Sequence, residues 1–131
     1  MAAPVIAGAE ISLYANAIRE IPEDIIHLPK LTYLYLHENQ IETIPPNMKR
    51  LKRLSEFSLH KNRIKELPED IGDISRLTEL TFHFNQITEI PDSICKLSSL
   101  KLLKMNSNKI KRLPDNFCDL VSLENLQIME N

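Results

Sequence analysis

The chain has 131 residues, of which 43% are hydrophobic, enough for the core of one domain without a linker. Its 16 basic and 18 acidic residues nearly cancel, which argues against nucleic acid as a partner, and no segment resembles a transmembrane helix. The first residues lack a basic leader and their apolar run is too short for a secretory signal. We therefore expect a cytoplasmic protein that does not bind membranes. Export after removal of a signal is the alternative.

Asparagine recurs every 23 residues along the whole chain, at Asn16, Asn39, Asn62, Asn85, Asn108 and Asn131. An unbroken period of this length indicates a solenoid, so we predict a single domain over residues 1–131 with about five and a half copies of one unit. The first copy has Gly8 where leucine belongs, and only Ile11 and Leu13 anchor its strand. Residues 1–10 are thus a weak N-terminal cap, and we expect residues 4–6 to fold over the open core.

The central copies show the apolar pattern of the unit most clearly. In the Asn62 copy the apolar positions are Leu54, Phe57, Leu59, Ile64, Leu67, Ile71 and Ile74, and in the Asn85 copy they are Leu77, Leu80, Phe82, Ile87, Ile90, Ile94 and Leu97. Alternation before each asparagine predicts a short strand with its leucines inward. The proline six residues after each of the first five asparagines predicts the first position of a short helix, followed by acids. Each asparagine is expected to bond backbone groups of its own and the next coil.

The last copy stops at Asn131 without an evident C-terminal cap. Leu123, Leu126 and Ile128 would end the stack with an apolar side and a bare strand edge, and such edges pair with other chains. Two interpretations stay open: the chain is a fragment of a larger scaffold, or this edge forms a homodimer or meets another partner.

Isoleucine always lies two positions after each of the first five asparagines. The surrounding residues follow the pattern L-P-x-x-I-x-x-L-x-x-L-x-x-L-x-L-x-x-N-x-I, in which isoleucine also occurs before the proline. The chain resembles intracellular leucine-rich-repeat proteins of the Ras-group-related and Scribble-like class over residues 8–131. The resemblance implies an α/β leucine-rich-repeat solenoid, a horseshoe arc with a parallel sheet on its concave face and short helical or extended segments on its convex face. It also implies a scaffold or signalling role in which the concave sheet binds a small GTPase or another signalling protein.

The register predicts which side chains line the concave face, because residues two, four and six before each asparagine point away from the core. All three tyrosines and three of the four histidines collect there. Exposed aromatics on a rigid sheet are typical anchors for a protein partner. We predict a partner-binding site made of Tyr33, Tyr35, His37, Glu56, His60, Glu79, His83 and Phe84. The alternative is that these aromatics only shield the sheet.

His37, His60 and His83 share one column, which raises the question of a zinc site. Zinc ligands lie about 2.0–2.1 Å from the metal, whereas neighbours in the column stand about 5 Å apart, so we expect neither a metal nor a cofactor. Charged imidazoles this close would repel, and this predicts partner binding that changes near pH 6.5, the ordinary titration range. A tolerated surface histidine that the repeat simply copied is the plainer explanation.

Catalysis finds no support in the sequence, since no metal-binding motif or activated nucleophile is recognisable, and we predict a protein that is not an enzyme. Cys95 and Cys118 also share a column, and whether they are bonded stays open. The basic cluster Lys49, Arg50, Lys52 and Arg53 is expected on a solvated convex face. The chain is therefore interpreted as a protein-interaction module, with an assembly unit that dimerises through its last strand as the alternative.

Overall fold

The computed structural model describes residues 6–7 and 10–131, except for the side chains of Ile6, Ala7 and Cys118. It contains one open sheet whose strands lie side by side in chain order: β1 (Ile6–Ala7), β2 (Glu10–Ser12), β3 (Tyr33–Tyr35), β4 (Glu56–Ser58), β5 (Glu79–Thr81), β6 (Leu102–Lys104) and β7 (Asn125–Gln127). β2 to β7 are parallel, and β1 pairs antiparallel with β2. Of the predicted cap, Pro4, Val5 and Gly8 lie outside the described residues, while Ile6 extends the sheet opposite Ile11.

Each strand aligns with the same residues of the next copy, 23 positions later. Leu34 lies opposite Phe57, for example, and Phe57 lies opposite Leu80. These middle residues are fully buried, whereas their strand neighbours Tyr33 and Tyr35 are only partly buried. The predicted alternation and the parallel solenoid sheet are therefore confirmed.

Short 3-10 helices return the chain on the side opposite the sheet: Glu23–His27, Met48–Arg50, Ile71–Asp73, Asp92–Lys96 and Phe117–Asp119. The predicted position of the prolines was wrong. Pro22 precedes its helix as the N-cap, with φ at −58°, and accepts the first turn's hydrogen bond from the Ile25 N–H. Pro68 lies three residues before its helix and accepts from Ile71. Within the described ranges, no helix is long and apolar enough to cross a membrane.

The core is a continuous stack of leucine and isoleucine, with Phe57 and Phe82 its largest fully buried side chains. All the apolar positions predicted for the Asn62 and Asn85 copies are buried, which confirms the assigned register. Burial of each such side chain contributes about 1.5–3 kcal/mol. Along the last strand burial falls, and Leu126 and Ile128 are 38% and 40% exposed.

The asparagine column bonds neighbouring coils together, and the side chains of Asn39, Asn62 and Asn85 within it are buried. The Asn62 amide donates to the carbonyls of Leu59 and Leu36, at 2.9 and 3.0 Å, and its Oδ1 accepts from the Ile41 N–H at 2.9 Å. Leu36 and Ile41 belong to the preceding coil. The expectation that each asparagine bonds the next coil was therefore wrong. The end of each strand lies beside the turn of the preceding copy, and the asparagine bonds that copy.

The residue just before each asparagine has a left-handed backbone conformation. These residues are Ala15, Glu38, Lys61, Phe84, Ser107 and Glu130, with φ between 55° and 60°. Such a conformation is unfavourable for residues other than glycine, and it turns the chain sharply at the end of each strand. The turn directs the next side chain, the asparagine, into the stack.

Candidate functional site

The side of the sheet away from the core presents three rows of side chains, and we call this surface the open face. The rows lie two, four and six residues before each asparagine. Their members between β3 and β5 are only partly buried, apart from Thr81, which is buried. Because the strands are parallel and in register, equivalent residues of neighbouring coils lie next to each other.

The row nearest the asparagines forms a continuous stack of rings, which we call the ring column: Tyr14, His37, His60 and His83. The ring centroids of Tyr14 and His37 are 4.8 Å apart, those of His37 and His60 are 4.4 Å apart, and those of His60 and His83 are 4.3 Å apart. Neighbouring planes are inclined by no more than 9°. Four coils therefore join into one aromatic strip on the open face.

Further aromatic rings flank the ring column on both sides. Tyr35 meets His37 edge-on at 6.5 Å and stacks with Tyr33 at 6.3 Å. Phe84 meets His83 edge-on at 5.7 Å, and 49% of its surface is exposed. Its position in the left-handed turn holds the ring beside the column rather than in the core.

Seven of the eight residues predicted for the partner site lie in the rows of the open face, and Phe84 lies beside them against His83. Their role in binding stays a prediction. The sequence placed Tyr14 on this face with the other tyrosines but the predicted site omitted it, although Tyr14 continues the stack and is 52% exposed. Its place in the same column as His37 was the signal that would have identified it.

Burial lowers the pKa of all three imidazoles, and the charge of a neighbouring histidine adds to this effect at His60 and His83. Burial is the main cause at His60, aided by the positive charge of His83, His37, Lys61 and Lys104, and its pKa falls to about 4. Burial also lowers the pKa of His37 and of His83. The rings are therefore neutral at neutral pH, and we expect binding to change with pH below 6.5 rather than near it.

The Nδ1 atoms of the three histidines have few hydrogen-bond partners among the described residues. The Nδ1 atom of His60 lies 3.2 Å from the hydroxyl of Thr81. The Nδ1 atoms of His37 and His83 are buried and have no hydrogen-bond partner within the described part of the chain. This environment favours uncharged imidazoles, since a buried cation without a partner is costly.

An acidic row runs beside the tyrosines. The Tyr35 hydroxyl donates to the Glu56 carboxylate at 2.9 Å, and Glu56 lies opposite Glu79 on the next strand. Burial, followed by the hydrogen bond and charge of Glu56, raises the pKa of Tyr35. Burial first, then the charge of Glu56, raises the pKa of Glu79. The open face thus joins a neutral aromatic strip to two crowded carboxylates.

The stacking geometry does not favour a metal shared by neighbouring histidines. The in-plane nitrogen lone pairs of nearly parallel stacked rings lie in separate, nearly parallel planes, so these lone pairs do not converge on one ion. Among the residues that the structure describes, no group of three histidine, cysteine, aspartate or glutamate side chains is placed to hold a metal.

The remaining sequence candidates lie elsewhere. Cys95 is buried, and burial raises the pKa of its thiol, so it lacks the low pKa of a nucleophile. The side chain of Cys118 is outside the described residues, so the structure does not test a disulfide between Cys95 and Cys118.

Comparison with protein families covers nearly the whole chain. Residues 54–131 match the family described as leucine-rich repeat region, and residues 9–64 match the family described as leucine rich repeat. No curated protein sequence matches the chain.

Several solved structures share the fold. A leucine-rich-repeat protein of Leptospira interrogans is 31% identical, with a TM-score of 0.85, over 89% of this chain and 32% of that one. An internalin of Listeria monocytogenes is 28% identical, with a TM-score of 0.81, over 91% and 34% of the two chains.

A third similar structure is the ectodomain of the plant membrane receptor kinase GASSHO1/SCHENGEN3 from Arabidopsis thaliana in complex with CASPARIAN STRIP INTEGRITY FACTOR 2. It is 29% identical, with a TM-score of 0.88, over 94% and 16% of the two chains. This chain therefore spans about a third or less of the length of these structures.

Proposed function

Because the chain belongs to the leucine-rich repeat family, we propose that it binds a protein partner on the open face of its sheet. Proteins with this fold are typically binding scaffolds rather than enzymes. The structure of the similar GASSHO1/SCHENGEN3 ectodomain is a complex with CASPARIAN STRIP INTEGRITY FACTOR 2. The observation that carries the proposal is the ring column, a strip of four stacked rings that crosses four coils.

The strip has the properties of an interface centre. Hot spots of binding are enriched in aromatic side chains, and rings that are already ordered lose little further conformational entropy on binding. Here each ring is held by its neighbours at 4.3–4.8 Å and by a sheet in fixed register. Neutral imidazoles also reduce the desolvation cost of burying the strip under a partner.

The acidic row indicates which charge the partner presents to this surface. Glu56 and Glu79 lie next to each other beside Tyr35, and their crowding is relieved when a cation approaches. The partner that fits this face presents apolar or aromatic groups to the ring column and a basic side chain to the carboxylates. A signalling protein such as a small GTPase is our proposal for its class, on the resemblance of the 23-residue unit.

Quantitative capture from cell extracts tests the proposal. The wild-type chain is compared with the double variant Tyr35→Ala/His60→Ala and with Lys65→Ala/Lys111→Ala, two exposed lysines off the open face. We expect the open-face variant to lose the partner at least about tenfold while the lysine variant keeps it. Both variants should keep the elution volume of the wild type.

A third variant addresses the assembly alternative. Ile128→Asp places a charge directly after β7, where 40% of the isoleucine surface is exposed. One outcome would replace the open-face proposal with the assembly alternative. In that outcome Ile128→Asp dissociates an oligomer and abolishes capture of the partner, whereas Tyr35→Ala/His60→Ala leaves both unchanged.

A further inference from the structure

A second surface lies where the chain enters the strands, outside the open face. It is a groove of about 400 Å³ lined by Thr32, Arg53, Ser55, Arg76, Thr78 and Ser99. Arg53 and Arg76 are 23 residues apart and thus occupy one column on neighbouring coils. The groove includes part of the basic cluster that the open-face proposal leaves without a role.

The two arginines are both exposed and lack acidic partners. The described residues contain two ion pairs, Lys61 with Glu38 and Lys96 with Asp73, and neither involves an arginine. Adjacent coils of a sheet stand about 4.7–4.9 Å apart, so two guanidinium groups in one column repel unless an anion lies between them.

Neighbouring lysines add to the positive electrostatic potential of the two arginines. Lys30 occupies the same column on the preceding coil, and Lys52 precedes Arg53. Asp73, three residues before Arg76, is already paired with Lys96 at 3.4 Å. An anion in the groove thus meets several positive charges. Glu56 and Glu79, each three residues after one of the arginines, belong to a row of the open face.

Hydroxyl groups line the groove between the arginines in a defined arrangement. The Ser55 and Thr78 hydroxyls are 2.9 Å apart, and the Thr78 hydroxyl donates to the Ser55 carbonyl at 3.2 Å. The backbone N–H groups of Ser55 and Thr78 already donate to the carbonyls of Thr32 and Ser55. The charged donors that line the groove are the two guanidinium groups, which select an oxyanion.

We propose that this groove binds a phosphate monoester dianion between Arg53 and Arg76. A carboxylate has two oxygens and one charge and is satisfied by a single bidentate arginine, whereas a phosphate monoester offers three oxygens and about two charges to a pair. A phosphodiester carries one charge and two free oxygens, so it fits the pair less well. A phosphorylated serine or threonine of a protein segment is the ligand with this chemistry.

Nuclear magnetic resonance titrations at constant ionic strength test the assignment. The probes are O-phosphoserine, inorganic phosphate and dimethyl phosphate, a diester with one charge. We expect saturable shifts of the backbone amides of residues 53–55 and 76–78 with the first two probes, and binding of dimethyl phosphate about tenfold weaker. Arg53→Gln and Arg76→Gln should each weaken O-phosphoserine binding about tenfold, and the double variant should show no saturation.

Arg63→Gln is the matched control, because it removes an exposed arginine of the Asn62 coil that does not line the groove. Its binding should stay within about twofold of the wild type. Equal losses in Arg63→Gln and Arg53→Gln would show a general charge effect and overturn the site. So would equal affinity for dimethyl phosphate, or binding of inorganic phosphate without O-phosphoserine. Unchanged thermal unfolding of each variant shows that the fold is intact.

Discussion

Replacing Asn62 by alanine tests the link between the repeat and its stability. The Ile41 N–H has the Asn62 Oδ1 atom as its partner, and loss of this bond leaves a buried donor unsatisfied at a cost of about 1–3 kcal/mol. The carbonyls of Leu36 and Leu59 each also accept from a second asparagine, so each loses one of two donors, at about 0.5 kcal/mol apiece. We therefore expect Asn62→Ala to lower the free energy of unfolding by about 2–4 kcal/mol.

Asn16→Ala supplies the matched control in the same column. The Asn16 amide donates to the carbonyls of Leu13 and Tyr14, but it is exposed, and its oxygen accepts no hydrogen bond from the described residues. Its loss should stay below about 1 kcal/mol. Urea unfolding followed by circular dichroism measures both changes. Equal decreases in the free energy of unfolding for Asn16→Ala and Asn62→Ala would refute the reasoning, because the buried hydrogen bond between coils would then not contribute to stability.

Three further changes test other features of the fold. For His60, the folded pKa of about 4 lies below the unfolded value of about 6.5, so the unfolded chain binds more protons between them and stability falls as pH drops from 6.5 towards 4. His60→Phe should keep the stack and abolish this part of the loss, as urea midpoints at both ends of the range would show. Gly72→Ala would place a methyl group 1.6 Å from the carbonyl oxygen of Ser93, and calorimetry should reveal destabilisation by about 2–3 kcal/mol. Lys61→Val forces a branched side chain into a left-handed turn and should cost about 1–2 kcal/mol in urea, whereas Arg63→Val, outside that turn, should change stability little.

The sequence period was sufficient to predict the sheet, its register and the residues on the open face. Strict spacing of 23 residues leaves only one way to place His37, His60 and His83 in a column, and the structure has them there. The stacking itself was not predictable, since the side-chain torsions that make the rings parallel depend on neighbours above and below each ring.

Other features left no readable signal in the chain. The left-handed column contains Ala15, Glu38 and Lys61 rather than the glycine or asparagine that usually mark such a backbone. The direction of the Asn62 bonds depends on which turn lies beside the strand end, and spacing alone does not give this. The low pKa of His60 depends on burial in the stack, which a residue type cannot report.

Site-specific cross-linking gives the most direct test of the open-face proposal. Lys104 lies on the open face, in the row of Thr81, and Lys65 is an exposed lysine off that face. Each is replaced by cysteine in a chain that lacks its own cysteines and is labelled with a photoreactive benzophenone. We expect the captured partner to cross-link through position 104 and not through position 65. Cross-linking through position 65 alone would contradict the account.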